Sequence, residues 1–348
     1  MVFVISQLLA ALLTPNPLLS FALSLLRAVF MVSLVLAGVQ LRKSRFLHYL
    51  LIGYAVTFTA AFISSFYTSG GVFLLRRIMH PYYTTVSLGL SAVIALWILL
   101  DWRDSKWYLR LPLGALALAI LAFSGSRGAV AALTVGIAAA ALLRDRRYLW
   151  GLGAVAGLLG IAYAVLNSGT RVTAFSRFFS LRLSGRAEVW EGAIKAFDAH
   201  PWGGVGPYQL GPWLSTYYQK GCHLWKGAVR LGLSCPAWVE RLNGAWLIAH
   251  NSFLQALGET GVVGTFGFAI LLGFIGYAVV RSRNSLLAAI YFGVLAMSLV
   301  DNPMNVPSLH FAEVFWIAGG MALAQAGLAV PLEQGLAVDD DQLGPDPL

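Results

Sequence analysis

Apolar stretches approaching the length of a bilayer crossing, about 20 residues each, recur along the chain with short polar connections between them. They fall at 17–41, 46–67, 81–100, 109–124, 127–143, 149–166, 261–280, 284–300 and 308–328, and a shorter one, 1–14, ends at Thr14-Pro15-Asn16-Pro17. Counted as a tenth helix, that first stretch completes an all-α, polytopic integral membrane protein of about 10 transmembrane helices. The pattern breaks once. Residues 167–250 form the large hydrophilic segment, which divides the chain into N-terminal transmembrane helices (1–166), a loop (167–250), C-terminal transmembrane helices (251–328) and a disordered acidic tail (329–348) carrying Asp339-Asp340-Asp341. No internal repeat of the kind that builds transporters from two related halves is visible.

Within the loop, residues 184–198 read as an amphipathic helix with Ser184 as N-cap. Trp190, Ala193, Ile194 and Phe197 would form its apolar stripe, and Glu188, Glu191, Lys195 and Asp198 its charged face. Arg186 falls on the apolar stripe, four residues before Trp190. It either snorkels past the aromatic ring or is held inward to grip an anion with its planar fork of donors. The turn His200-Pro201-Trp202-Gly203-Gly204-Val205-Gly206-Pro207 stops that helix, and its amides could face an anion or simply make a turn.

Composition agrees with the pattern. Of 348 residues, 58% are hydrophobic and only 11% charged, against about a quarter charged in soluble domains. The first residues lack the basic start and small-residue cleavage site of a signal peptide, so the opening stretch is expected to be retained. A net charge of +9 would suit nucleic acid, but the basic residues sit mostly in short loops, where they set orientation instead. Arg42, Lys43, Arg45, Arg103, Lys106, Arg110, Arg144, Arg146, Arg147, Arg281 and Arg283 fall on one side, and the opposite short loops carry only Arg76 and Arg77. The first side is therefore cytoplasmic and the large loop extracytoplasmic. Cys222 and Cys235, the only cysteines, both lie in that loop and could close a disulfide ring or stand as two thiols.

Few groups remain for chemistry. Arg127, in Ser124-Gly125-Ser126-Arg127-Gly128-Ala129, lies between two apolar runs, where an arginine is costly and by default functional. The bland reading is a turn whose arginine snorkels to the headgroups. His250 stands where the loop re-enters the membrane, as a neutral imidazole able to accept a proton. On a straight helix Leu254, Leu257, Gly261 and Gly264 would share its face, while Glu259 would point away. Arg76 and Arg77, beside His80, are phosphate candidates or interfacial anchors. Arg27 and Glu313 also stand within apolar runs.

The string His250-Asn251, nine residues, Gly261-x-x-Gly264, preceded by Arg186-x-x-x-Trp190 and His200-Pro201-x-Gly203-x-Val205-Gly206, resembles the O-antigen ligase and polymerase superfamily. Ser126-Arg127-Gly128 looks like that family's membrane arginine, and the likeness covers roughly residues 110–320. The chain has fewer apolar segments than many members, the difference lying at its N-terminus. The resemblance implies a GT-C-like fold and a glycosyltransferase of the bacterial inner membrane whose site faces the periplasm. The enzyme would move a glycan from undecaprenyl diphosphate to a sugar hydroxyl on a glycolipid or lipid-linked acceptor, with no nucleic acid partner. Two arginines holding the diphosphate and a histidine base map to Arg127, Arg186 and His250. Arg76, Arg77, Asn251 and Trp190 are the further substrate-binding candidates.

Elementary chemistry agrees. A diphosphate leaving group needs cations, and the acceptor hydroxyl needs a base. The outer acids Glu188, Glu191, Asp198, Glu240, Glu259 and Asp301 are scattered in sequence without an Asp-x-Asp pair, so no metal and no cofactor is expected. Ligase activity, with lipid A core as acceptor, is favoured by the histidine string; polymerase activity, joining lipid-linked repeats, is the alternative. A transporter for the polyprenyl carrier is more distant, since it would not need His250 as a base.

Overall fold

The computed structural model describes residues 1–43, 45–69, 76–102, 106–143, 148–168, 172–179, 186–219, 230, 247–306 and 312–329. Cys222, Cys235, Ser184 and the acidic tail lie outside them, and with them the proposed disulfide and the N-cap. Among the described residues the elements are helical: α1 (Val2–Leu12), α2 (Pro17–Gln40), α3 (Phe46–Ser69), α4 (Thr85–Asp101), α5 (Trp107–Ser124), α6 (Arg127–Leu142), α7 (Tyr148–Asn167), α8 (Thr173–Phe179), α9 (Arg186–Ala199), α10 (Leu210–Gln219), α11 (Ser252–Ser282), α12 (Ser285–Met297) and α13 (Ala312–Gln325).

Nearly every apolar run becomes a helix, but fewer become full crossings. Among the described residues, five helices, α2, α3, α5, α7 and α11, are long and apolar enough to cross a membrane. α1, α4, α6 and α12 are apolar but shorter. The 13 residues of α12 rise only about 20 Å, short of a hydrocarbon core of about 30 Å. The difference has a local cause, because runs that read as continuous are trimmed by caps. Thr84 accepts from the amide of Ser87 and starts α4, and Asn284 accepts from that of Leu287 and starts α12. The run expected at 261–280 is instead extended upward, with α11 beginning at Ser252.

Small residues let the helices meet. Trp97 of α4 is fully buried against Gly136 of α6 and Gly293 of α12, where a Cβ on either glycine would overlap its ring. Gly38 of α2 and Gly320 of α13 bring those backbones into direct contact in the same way. At this end Arg281 donates to the carbonyl of Ala326 at 3.1 Å, Asn284 to Gln325 at 3.1 Å, and Gln325 to the carbonyl of Arg42 at 3.4 Å. Arg42 and Arg281, assigned to one side by charge, thus share one end of the bundle.

The amphipathic helix is α9, but its buried stripe is rotated by about one residue. Val189, Gly192, Ala193 and Ala196 are buried, as is Glu188, whereas Ile194 is 44% exposed. Because the inward face packs on α11 and α10 rather than on lipid, small residues allow closer approach than Ile or Phe would.

Candidate active site

The best-defined polar cluster forms where α9, the turn before α11 and the end of α12 meet. Asp301, three residues beyond Ser298 that caps α12, is 1% exposed and presents both carboxylate oxygens. Oδ1 lies 3.1 Å from His250 Nδ1, and Oδ2 lies 3.3 Å from Arg186 Nη2. A carboxylate at Nδ1 favours the tautomer with the proton there, which leaves the Nε2 lone pair to accept one. His250 is 41% exposed and Arg186 20%, so both can be reached from outside.

Helical phase mispredicted the surroundings of His250. It lies before α11, not on it, at φ 48°, a left-handed conformation that a non-glycine residue rarely adopts. The turn is held from several directions. Asn251 caps α11, its Oδ1 accepting from the amides of Phe253 and Leu254 at 3.0 Å each, while its Nδ2 donates to the Leu299 carbonyl at 2.9 Å. The Trp190 indole donates to the His250 carbonyl at 3.4 Å, and the Ser252 amide to the Ser298 carbonyl at 2.9 Å. Asn251 and Trp190, expected to touch substrate, are here used to set the backbone that aims the imidazole.

Glu259 is absent from the His250 site, as expected, but its partner was not foreseen. It forms a buried ion pair with Arg27 of α2. Its Oε1 also accepts from the Tyr208 amide at 3.0 Å and from Gln255 Nε2 at 2.7 Å, and Gln255 in turn accepts from the Ala249 amide at 2.8 Å. Arg27 stacks over the Tyr208 ring, 4.3 Å from its centroid. The chain from Arg27 to Ala249 thereby braces the residue before His250.

α11 is not straight. Gly261 has φ 58° and ψ −162°, which breaks the helix and frees its backbone groups. The glycine-rich turn fills the break. The amides of Val205 and Gly206 donate to the carbonyls of Gly258 and Glu259 at 2.9 Å each, and those of Val262 and Val263 donate to Pro201 and Trp202 at 2.8 and 3.3 Å. The amides of Val205 and Gly206 are therefore engaged by α11, and that of Gly204 by the His200 carbonyl. Side chains at Gly204 and Gly261, both in left-handed conformations, would strike that interface.

A second set of cations lies near Arg186. Arg77 donates Nε to the carbonyl of Ser124 at 2.7 Å, at the C-terminus of α5. Burial, then Arg177 and Arg186, push its pKa down to about 10, which still leaves it charged at neutral pH. Arg127 opens α6 after the Ser126 cap and lies in the field of the same two arginines. Arg76 is exposed, and His80 uses Nδ1 to accept from the amides of Tyr82 and Tyr83 at 3.1 and 3.2 Å. Sequence reasoning missed Arg177 and the role of Asp301. No motif marked either, although Asp301-Asn302-Pro303 at the end of an apolar run is an unusual place for an acid. Among the described residues, no three His, Cys, Asp or Glu side chains gather as a metal site would require.

The fold and this cluster define a helical protein with membrane-length helices and a site combining an imidazole with several guanidiniums. Residues 112–269 match the family model described as O-antigen ligase. The likeness carried by the histidine string thus holds over a segment that includes Arg127, Arg177, Arg186, His250, Gly261 and Gly264 and excludes Arg77 and Asp301. By its description, that family points to an O-antigen ligase-like activity. Among curated proteins none matches the chain.

Proposed function

We propose that this protein is a bacterial inner-membrane glycosyltransferase of the ligase type, moving a glycan from undecaprenyl diphosphate to a sugar hydroxyl of lipid A core on the periplasmic side. The carrying observation is the bridge made by Asp301, which joins the candidate base and a candidate diphosphate ligand in one site. In the reaction His250 Nε2 removes the acceptor hydroxyl proton, and that oxygen attacks the anomeric carbon of the donor. The bond from this carbon to the diphosphate breaks, its electron pair stays on the diphosphate oxygen, and Arg127 and Arg186 stabilise the charge that develops there. Asp301 orients the imidazole and stabilises its protonated form. Every proton and charge in this scheme is handled by side chains, so the reaction is assigned no metal.

The deciding experiment gives purified full-length protein a lipid-linked donor, with and without lipid A core. Transfer that appears only with lipid A core is expected. Growth of longer carrier-linked chains from donor alone would make it a polymerase, and no transfer in either case would remove the reading. His250→Ala is expected to lower turnover by about 100- to 10,000-fold, and normal turnover by the folded variant would eliminate the base. Activity should persist in excess chelator, and a loss restored by a divalent ion would refute metal independence.

A further inference from the structure

Arg177 belongs to no motif in the sequence, yet the fold delivers it to the turn that starts α6. α8 lies against that turn through Phe175, whose ring stacks on Phe123 of α5 at 5.9 Å between centroids. The next contact is tighter. Gly125 takes a left-handed conformation with φ 59°, and a Cβ there would stand 2.8 Å from the Ala174 carbonyl oxygen. Arg177 follows Ala174 by three residues in α8, so the two share a helix face. From the other side of the same turn, Arg77 holds the carbonyl of Ser124. Arg186 reaches the group from α9, where Asp301 engages it.

Four segments thus bring four guanidiniums together, and Arg177 and Arg186 each act on both Arg77 and Arg127. Like charges in a partly buried place oppose one another, and an anion with several charges relieves that opposition. We propose that Arg177 is a fourth diphosphate-binding residue, and that it acts with Arg77, Arg127 and Arg186 on the diphosphate of the polyprenyl carrier. This rests on the diphosphate reading above and extends it to an arginine that no sequence string marks.

The test uses full-length protein in nanodiscs, with inorganic pyrophosphate as the probe, calorimetry for binding and thermal melting for stability. Wild type should bind pyrophosphate with an affinity that falls as salt rises. Arg177→Gln should weaken that binding about tenfold or more, Arg177→Lys should keep part of it, and the ligand-free melting temperature of Arg177→Gln should not fall. Arg283→Gln, at the opposite end of the bundle, should bind as wild type does. Pyrophosphate binding by Arg177→Gln equal to wild type would overturn the role of Arg177, as would a lowered melting temperature with unchanged binding. If Arg177→Gln does not fold, Arg177→Lys decides, since unchanged binding with a single point charge in place of the fork counts against the proposal. Failure of wild type itself to bind pyrophosphate would instead bring down the diphosphate reading.

Discussion

Asp301 touches His250 with one carboxylate oxygen and Arg186 with the other, so a single substitution separates two effects. Asp301→Asn keeps the shape but removes the charge that orients and supports the imidazole, and turnover should fall by about 100-fold. The same change releases Arg186 from an ion pair, so pyrophosphate should bind at least as tightly as to wild type. Turnover assays and calorimetry on one preparation check both, and loss of the two together would mean that Asp301 merely holds the fold. At this scale the sequence was partly legible. His250, Arg127 and Arg186 could be named because they stand in short strings with recognisable spacing. Asp301 lies 51 positions from His250 and Arg177 in no string at all, and only the packing of helices brings them in.

At the scale of elements, α11 carries the most information. Read as a straight helix it put His250 and Gly261 on one face; in the structure the first precedes its N-cap and the second breaks it. Periodicity reports side-chain burial and is silent on backbone breaks, so the apolar run was legible and its interruption was not. The glycines of the 200–206 turn pointed to irregular backbone but not to what it would bind. Gly261→Ala should destabilise the protein by at least about 1–3 kcal/mol, because it adds a left-handed alanine and a clash with the turn; an unchanged melting temperature would contradict the packing. Arg27 and Glu259 join α2 to the same helix from within the buried interior. Glu259→Gln should cost about 3–5 kcal/mol by stranding a buried guanidinium. Arg27→Leu with Glu259→Leu should recover most of that loss in the same thermal melts, and a double variant no more stable than the single one would show that the pair is not the source.

At the scale of the molecule, the chain separates two ends. His250, Arg186, Asp301 and the arginines around Ser124 gather at one, and Arg42, Arg281, Asn284 and Gln325 at the other. The short-loop charges assign Arg42 and Arg281 to one side, and these two do stand at one end. The number of full crossings was less legible, since an apolar run does not reveal where a cap will trim it. Sidedness is measurable with cysteines introduced after Cys222 and Cys235 are changed to serine. Trp202→Cys, at a position 65% exposed, should react with an impermeant thiol reagent added outside spheroplasts, and Gln40→Cys only after lysis. The reverse pattern would invert the proposed orientation and place the site in the cytoplasm.

The stitching of the 200–206 turn into the break of α11 also has a consequence for how the protein is made. The carbonyls and amides that the turn needs belong to residues 258–263, which leave the ribosome more than fifty positions later. Until then the turn lacks those partners, since Gly203 meets α1 but Val205 and Gly206 donate to α11. Assembly of the site must therefore wait for α11 to be made, against the usual order in which early segments settle first. A nascent chain arrested before residue 258 should leave that turn open to protease, and activity can arise only once Asp301 has also been made.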